Sequence, residues 1–142
     1  MMNINIRLID TPEAVIREAI VASLIEYNTA RSGINDHRLL ALAVEGGDGK
    51  PLGGLWGRTG FGWLFVELLL VPEALRGQGV GTSLMMRAEQ EALRRGCHHV
   101  WLDTFEFQAR GFYERLGYSC FGELQDYPVG VARYFMKKTL KE

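Results

Sequence analysis

Arg76-Gly77-Gln78-Gly79-Val80-Gly81-Thr82 follows the apolar run Leu68-Leu69-Leu70-Val71 and precedes a helix-compatible stretch, Ser83 to Arg95. Glycine has no Cβ, so it lets a backbone come close to a ligand and take left-handed torsions. A glycine turn that opens a helix leaves several amide N–H groups unpaired and pointing one way. With the positive end of the helix dipole they form an anion site, most naturally for a phosphate. The stretch predicts a strand-loop-helix junction that holds a phosphorylated ligand. A glycine turn without a ligand is the plain alternative, but three alternating glycines cost conformational entropy that such a turn does not need.

Three glycine-rich patterns compete for this loop. The Walker pattern needs Gly-Lys followed by Ser or Thr, and Gly49-Lys50 is followed by Pro51. The dinucleotide pattern needs a third glycine at position 82, where Thr82 stands, with Gly81 one residue early. The third pattern, Arg/Gln-x-x-Gly-x-Gly/Ala, fits Arg76, Gly79 and Gly81 without adjustment. Upstream lies Leu69-x-Val71-Pro72, and downstream Ala109-Arg110-Gly111-Phe112-Tyr113-Glu114-Arg115-Leu116-Gly117-Tyr118. These motifs, in this order and spacing, resemble the GNAT superfamily of acetyl-CoA-dependent N-acetyltransferases from about Leu68 to Tyr118.

The bulk composition narrows the alternatives. At 142 residues the chain is the size of one domain and can bury a core. We expect a single domain over 1–142. Net charge is −1 with both signs interspersed, which disfavours a nucleic-acid partner. Cys97 and Cys120 are the only cysteines. A disulfide scaffold is thereby excluded, and a reduced cytoplasmic setting is the default expectation. His98 and His99 beside Cys97 lack the paired spacing of a zinc site, so no metal is expected. The N-terminus shows no signal-peptide pattern, and no apolar run approaches the ~20 residues of a membrane span.

The coarse pattern places the motifs. Ile4 to Ile9 alternates apolar and polar and predicts a first strand. Thr11-Pro12-Glu13 predicts a helix start, with Thr11 as cap, and the helical pattern runs to about Glu26. Tyr27 to Asp36 reads as a loop or a short helix. Arg38–Glu45 and Pro51–Arg58 form a predicted hairpin around Gly46-Gly47-Asp48-Gly49. Trp63–Val71 is apolar on both faces and predicts a central, buried strand. Val80–Arg95 is a predicted helix with a Val80, Leu84, Ala88, Ala92 stripe, a Glu91–Arg95 pair and Gly96 as its stop. A strand over His98–Asp103, a helix over Gln108–Leu116 and strands over Tyr118–Leu124 and Val131–Lys137 complete the order β-α-β-β-β-α-β-α-β-β. The fold class is α/β, a GNAT-like mixed, mostly antiparallel sheet with flanking helices. The resemblance implies that its fourth and fifth strands splay apart to admit the pantetheine arm.

The resemblance also assigns roles. Leu69, Leu70 and Val71 would meet the thioester and pantetheine, a Leu69 N–H stabilising the oxyanion. Arg76, Gly77, Gln78, Gly79, Val80, Gly81 and Thr82 would hold the pyrophosphate of acetyl-CoA, the co-substrate. Tyr113 would give a proton to the leaving thiolate; a phenol of pKa ~10 is protonated at neutral pH. As bland alternatives, Tyr113 is a core aromatic and the strand groups are ordinary ladder groups. Glu67, lodged among Leu64-Phe65-Val66 and Leu68-Leu69-Leu70, is the candidate base, since a buried carboxylate there would have a raised pKa. Asp103, Glu106, His37 and Asp126 remain alternative bases, and loss of the amine proton to solvent is a further alternative. Where many members carry a pantetheine-binding Asn, this chain has Glu106, and Gln108 or backbone groups would take over that contact. The expected acceptor is a small-molecule or peptide amine, with no nucleic acid and no membrane; a homodimer is an open option. The rival readings are a non-catalytic acyl-CoA sensor and a transferase of another acyl group.

Overall fold

The computed structural model describes residues 2–141. The chain divides into two compact units, one ending at Asn35 and one beginning at Asp36.

The first unit is helical. Helix α1 runs over Ala14–Ser32 and ends at Gly33, whose φ of 73° lets its N–H turn back to Thr29 O at 2.9 Å. The helix thus continues six residues past Glu26: Tyr27 to Arg31 is polar, but nothing in it breaks a helix before Gly33. It begins two residues later than Thr11-Pro12 predicts, with Glu13 in the cap position and no side-chain cap bond. The strand predicted over Ile4–Ile9 is not formed; residues 2–9 belong to no ladder. Alternation marks a face that needs covering, but a strand also needs a neighbour, and no described residue supplies one.

The second unit is a six-stranded mixed sheet: β1 (Arg38–Glu45), β2 (Pro51–Gly60), β3 (Trp63–Leu70), β4 (His99–Phe105), β5 (Ser119–Leu124) and β6 (Arg133–Thr139). Their spatial order is β1-β2-β3-β4-β6-β5, and only β3–β4 is parallel. Helices α2 (Val80–Arg94) and α3 (Arg110–Arg115) fill the two crossovers. The β1–β2 turn is the expected glycine turn, fastened by Lys50 N–H to Asp48 Oδ1 at 3.0 Å. One sheet face buries Leu40, Leu55, Leu64, Val66, Val100, Leu102 and Met136 in a cluster with Met85, Ala88 and Ala92 of α2. Neighbouring positions Leu39, Trp56 and Leu68 fall on the opposite face and are exposed.

Strand β3 departs from the buried strand that its composition predicts. Leu64 and Val66 are buried, whereas Glu67, Leu68 and Leu70 are exposed. The pairing with β2 explains the break. Trp56 faces Leu68 and Gly57 faces Val66, so Glu67 is the extra residue of a β-bulge. Gly57 is required there: a Cβ would overlap the Phe65 carbonyl oxygen. Among the described residues no helix is long and apolar enough to cross a membrane.

Candidate functional site

Strands β3 and β4 pair from Trp63↔His99 to Val66↔Leu102 and then separate. Beyond that point β3 keeps only β2, as far as Leu70, and β4 keeps only β6, as far as Phe105. The opening lies between Glu67–Leu70 and Asp103–Phe105. It is the expected splay, carried by β3 and β4 because the first predicted strand is absent. Along Leu69 and Leu70 the β4-side edge has no ladder partner.

At the mouth of this opening the chain turns through Val71 and Pro72 into a 3-10 turn, Glu73–Leu75, and then the glycine loop. Gly77 and Gly79 have φ of 78° and 80°, which an L side chain adopts only with strain. Gly79 is the N-cap of α2 and offers no side-chain cap. The first bond into the helix is Ser83 N–H to Gly79 O at 3.0 Å, and among the described residues the N–H groups from Gly77 to Thr82 make no well-aligned backbone bond. These donors, Val80, Gly81 and Thr82 included, form the anion-binding arrangement expected of a helix start. Arg76 donates through Nε to Val71 O at 3.2 Å, tying the loop to the strand end and leaving its terminal NH2 groups free for an anion. Gln78 points away, its amide donating to Ala74 O at 3.3 Å. At Gly81 a Cβ would lie 3.2 Å from the Phe112 ring and 3.4 Å from Val71, so loop, strand end and α3 meet there.

Tyr113 is on α3, adjacent to Phe112. Its ring is 7% exposed and packs edge-on to Phe112 and Tyr118, with centroids at 5.1 and 5.9 Å. Burial, seconded by the charge of Asp103, pushes its phenol up to about 12. Tyr113 therefore holds its proton throughout the neutral range. No hydrogen bond to its hydroxyl is found among the described residues, and no buried side-chain oxygen there lacks a partner, so that hydroxyl reaches an accessible surface. Tyr118 differs: it donates to Glu89 Oε2 at 2.7 Å, and Glu89 also holds Lys138 Nζ at 2.9 Å. Burial first, then Glu89, raises the Tyr118 phenol beyond any working pH.

The carboxylates sort by their partners. Glu67 stands at the bulge, exposed and with no hydrogen bond or ion pair among the described residues. The desolvated carboxylate expected from its apolar neighbours is thus not what the strand holds; the bulge turns it outward. Asp103 is paired with Arg133, Nε and NH2 reaching Oδ1 at 3.0 and 2.8 Å. Glu106 accepts Ala132 N–H at 3.1 Å and fastens the entry of β6. Asp126 accepts Gly130 N–H at 3.1 Å within its own turn. His37 packs edge-on to Phe61, 4.7 Å away, beside the β2–β3 turn. That is the end of β3 opposite the opening, which removes His37 from the site. Gln108 takes Phe105 N–H (2.8 Å) and Thr104 Oγ1–H (3.3 Å) on its carbonyl oxygen, keeping only its NH2 for a ligand.

Arg133 escaped the sequence reading. It pairs with Asp103 and lies over the rings of Phe105, Tyr127 and Phe135 at 5.4, 4.8 and 5.4 Å. Nothing local announces this, because Asp103 is thirty residues away and only the β4–β6 register brings the two together. Among the described residues no group of three or more His, Cys, Asp or Glu side chains is placed to hold a metal ion.

The comparisons with known proteins agree with this geometry. A family model described as the acetyltransferase (GNAT) family matches residues 8–118. An acetyltransferase of Agrobacterium fabrum (strain C58) is 40% identical over 134 residues, 94% of this chain and 98% of that one. The blasticidin-S acetyltransferase of Streptomyces morookaense is 41% identical over 93 residues, 65% of this chain and 68% of that protein. The crystal structure of an acetyltransferase from Agrobacterium tumefaciens superposes with a TM-score of 0.90 at 39% identity, covering 96% of this chain and all of that one.

Proposed function

Since the chain belongs to the GNAT acetyltransferase family, we propose that it moves the acetyl group of acetyl-CoA directly to a primary amine of a small molecule, in the cytoplasm. The observation that carries this reading is the uncapped start of α2 at Gly79, set at the opening between β3 and β4 with Tyr113 beside it. The N–H groups of Gly77–Thr82 and the Arg76 guanidinium hold the pyrophosphate. The freed edge of Leu69–Val71 receives the pantetheine amides and thioester, and a main-chain N–H there stabilises the oxyanion. The amine attacks the thioester carbon, the C–S bond breaks, and Tyr113 protonates the departing thiolate. Glu67, on the sheet face opposite α2, accepts the proton from the amine directly or through water.

The small-molecule preference rests on the relative that is a blasticidin-S acetyltransferase and on a net charge of only −1. The test is release of CoA thiol from acetyl-CoA over a panel of small primary amines and peptides. Turnover with small amines alone supports the reading, and turnover with peptides alone replaces the acceptor class. Tight acetyl-CoA binding with no turnover on any acceptor favours the sensor reading. Glu67→Gln isolates the base: turnover should fall while the melting temperature and acetyl-CoA affinity hold. Unchanged turnover would exclude Glu67.

A further inference from the structure

A cluster of rings stands beside the opening between β3 and β4, and the proposed transfer makes no use of it. All of its residues belong to the sheet unit. Phe105 ends β4 on the rim of the opening. Leu102 and Thr104 are buried, so Asp103 and Phe105 project from the sheet face opposite α2. Phe107 stacks on Phe105, with centroids 5.3 Å apart and planes 11° from parallel, and Tyr127 tilts against Phe105 at 5.7 Å. Phe107 is 67% exposed and Tyr127 44%, so the sheet unit itself leaves part of each ring open. The two loops that carry these rings are tied together. Glu106 N–H donates to Ala132 O at 2.9 Å, and Ala132 N–H returns to Glu106 Oε2 at 3.1 Å. Within the second loop Tyr127 N–H reaches Val131 O and Val131 N–H reaches Pro128 O, both at 2.8 Å. Single exposed apolar residues are ordinary, but rings grouped and fixed at the rim of a site form a pre-organised surface.

Charge decides what this surface takes. Arg133 lies over Phe105 and Tyr127, and Asp103 meets its charge. A cation already held on these rings draws on their π density and repels a second one. The surface therefore suits a neutral flat ring better than an ammonium group. Phe107 takes no part in holding Arg133; among the described residues its one ring contact is Phe105. We propose that the acceptor amine carries a flat aromatic or heteroaromatic ring, that this ring stacks on Phe107 beside Tyr127, and that Phe107 sets the preference for it. The inference rests on the acetyl transfer proposed above. The stacked ring leaves a short aminoalkyl arm to pass Phe105 and enter the opening. Two aromatic faces in offset contact attract beyond what their buried area gives, which an aliphatic ring of the same size does not match.

Two primary amines of equal reach test this at saturating acetyl-CoA: phenethylamine and cyclohexylethylamine. The wild type should prefer the flat ring by about tenfold in kcat/KM. Phe107→Leu keeps an apolar side chain and removes the stack. It should bring phenethylamine down to the level of the cyclohexyl amine, through KM with kcat held, because stacking is binding that ground state and transition state share. Phe107→Trp should keep or raise the preference. Phe107 is exposed, so acetyl-CoA affinity and melting temperature should match wild type in both variants. Equal use of the two amines by the wild type, an equal loss on both in Phe107→Leu, or turnover of other small amines but neither of these would overturn the stacking and leave the transfer standing. No release of CoA with any amine would overturn the transfer reading itself, and this inference with it.

Discussion

The two ends of α2 treat the same problem in opposite ways. Every helix leaves about four N–H groups at its start and four C=O groups at its end without partners. At the end, backbone N–H groups satisfy three of them, on Glu91, Ala92 and Leu93. Arg95 N–H reaches Glu91 O and Ala92 O at 3.0 and 3.1 Å, Gly96 N–H reaches Leu93 O at 2.9 Å, and Cys97 N–H reaches Ala92 O at 2.8 Å. Glu91 then binds both Arg94 and Arg95, and Arg95 Nη1 continues to Leu39 O (3.0 Å) and Thr59 Oγ1 (3.1 Å). At the start, Gly79 offers no cap, and the donors stay unspent. A helix start closed by Ser, Thr, Asp or Asn would be more stable than one that starts on glycine by roughly a few tenths of a kcal/mol. The difference fits the proposed reading, in which this terminus is kept for a ligand while the other holds the fold.

The sharpest break of that contrast is Gly79→Asp. It places a carboxylate among the unspent donors, where an aspartate is also a competent cap. Acetyl-CoA affinity should fall by on the order of a hundredfold or more, from charge repulsion and lost donors. The melting temperature should fall by a few degrees at most, since φ of 80° strains an L residue by about 1–2 kcal/mol. Calorimetric titration with a parallel melt decides it; unchanged affinity would mean the helix start is not the pyrophosphate seat. Next in size is Tyr113→Phe. It keeps the ring contacts to Phe112 and Tyr118 and removes only the hydroxyl, so turnover should drop roughly ten- to a thousandfold with acetyl-CoA binding unchanged. Tyr118→Phe is the matched control: its hydroxyl donates to Glu89, which also binds Lys138, so the cost should appear in the melt. Wild-type turnover in Tyr113→Phe would make Tyr113 a packing residue.

The legible parts of the chain are those where local pattern and long-range partner coincide. Helix α2 shows its stripe, its i,i+4 pair and its glycine stop within one window, and all three are present in the structure. The hairpin is written by its glycine turn. Residues 4–9 show where the limit lies: their alternation states that a face wants cover but not which strand supplies it. Glu67 shows a second limit. Its neighbours are all apolar, yet a single extra residue in the β2–β3 register turns it outward, and register is a property of two strands. Glu106 and Asp103 looked equally free in the sequence, and their partners Ala132 and Arg133 lie at the entry of β6, beyond the whole of α3 and β5. The loop and the tyrosine could be named because their motif is contiguous; what each carboxylate does could not.

The reverse experiment acts on the other end of α2. Arg95→Met keeps the aliphatic stem, which packs with only 11% of the side chain exposed. It removes the donor to the Leu39 carbonyl and to Thr59 Oγ1, in a residue 2% exposed, which keeps only its long bond to Arg38 O at 3.4 Å. A cost of about 1–3 kcal/mol is expected from the bonds lost to a charged donor, read by urea unfolding. Acetyl-CoA affinity should stay at wild type, because the helix start is untouched. A large loss of affinity at equal stability would erase the division of labour between the two ends.

The smallest effect concerns the charge on Glu91. Hydrogen bonds from Arg94 and then Arg95 hold its carboxyl down at about 2, against an ordinary value of 4.5. A depressed carboxylate binds its proton less readily in the folded chain than in the unfolded one. Its contribution to stability is therefore fully present above 4.5 and is lost as pH falls through 4.5 toward 2. Glu91→Gln removes that titration while keeping the side chain's size. Melting temperatures of the two proteins should differ most near neutral pH, converge below 4.5 and meet near 2. Raised salt should shrink the neutral-pH difference, because Arg94 sits at the surface, 65% exposed. Acetyl-CoA binding at neutral pH should be identical in both. A gap that stays constant down to pH 2 would show that Glu91 acts through shape and hydrogen bonding alone, and that the far end of α2 is held without help from its charge.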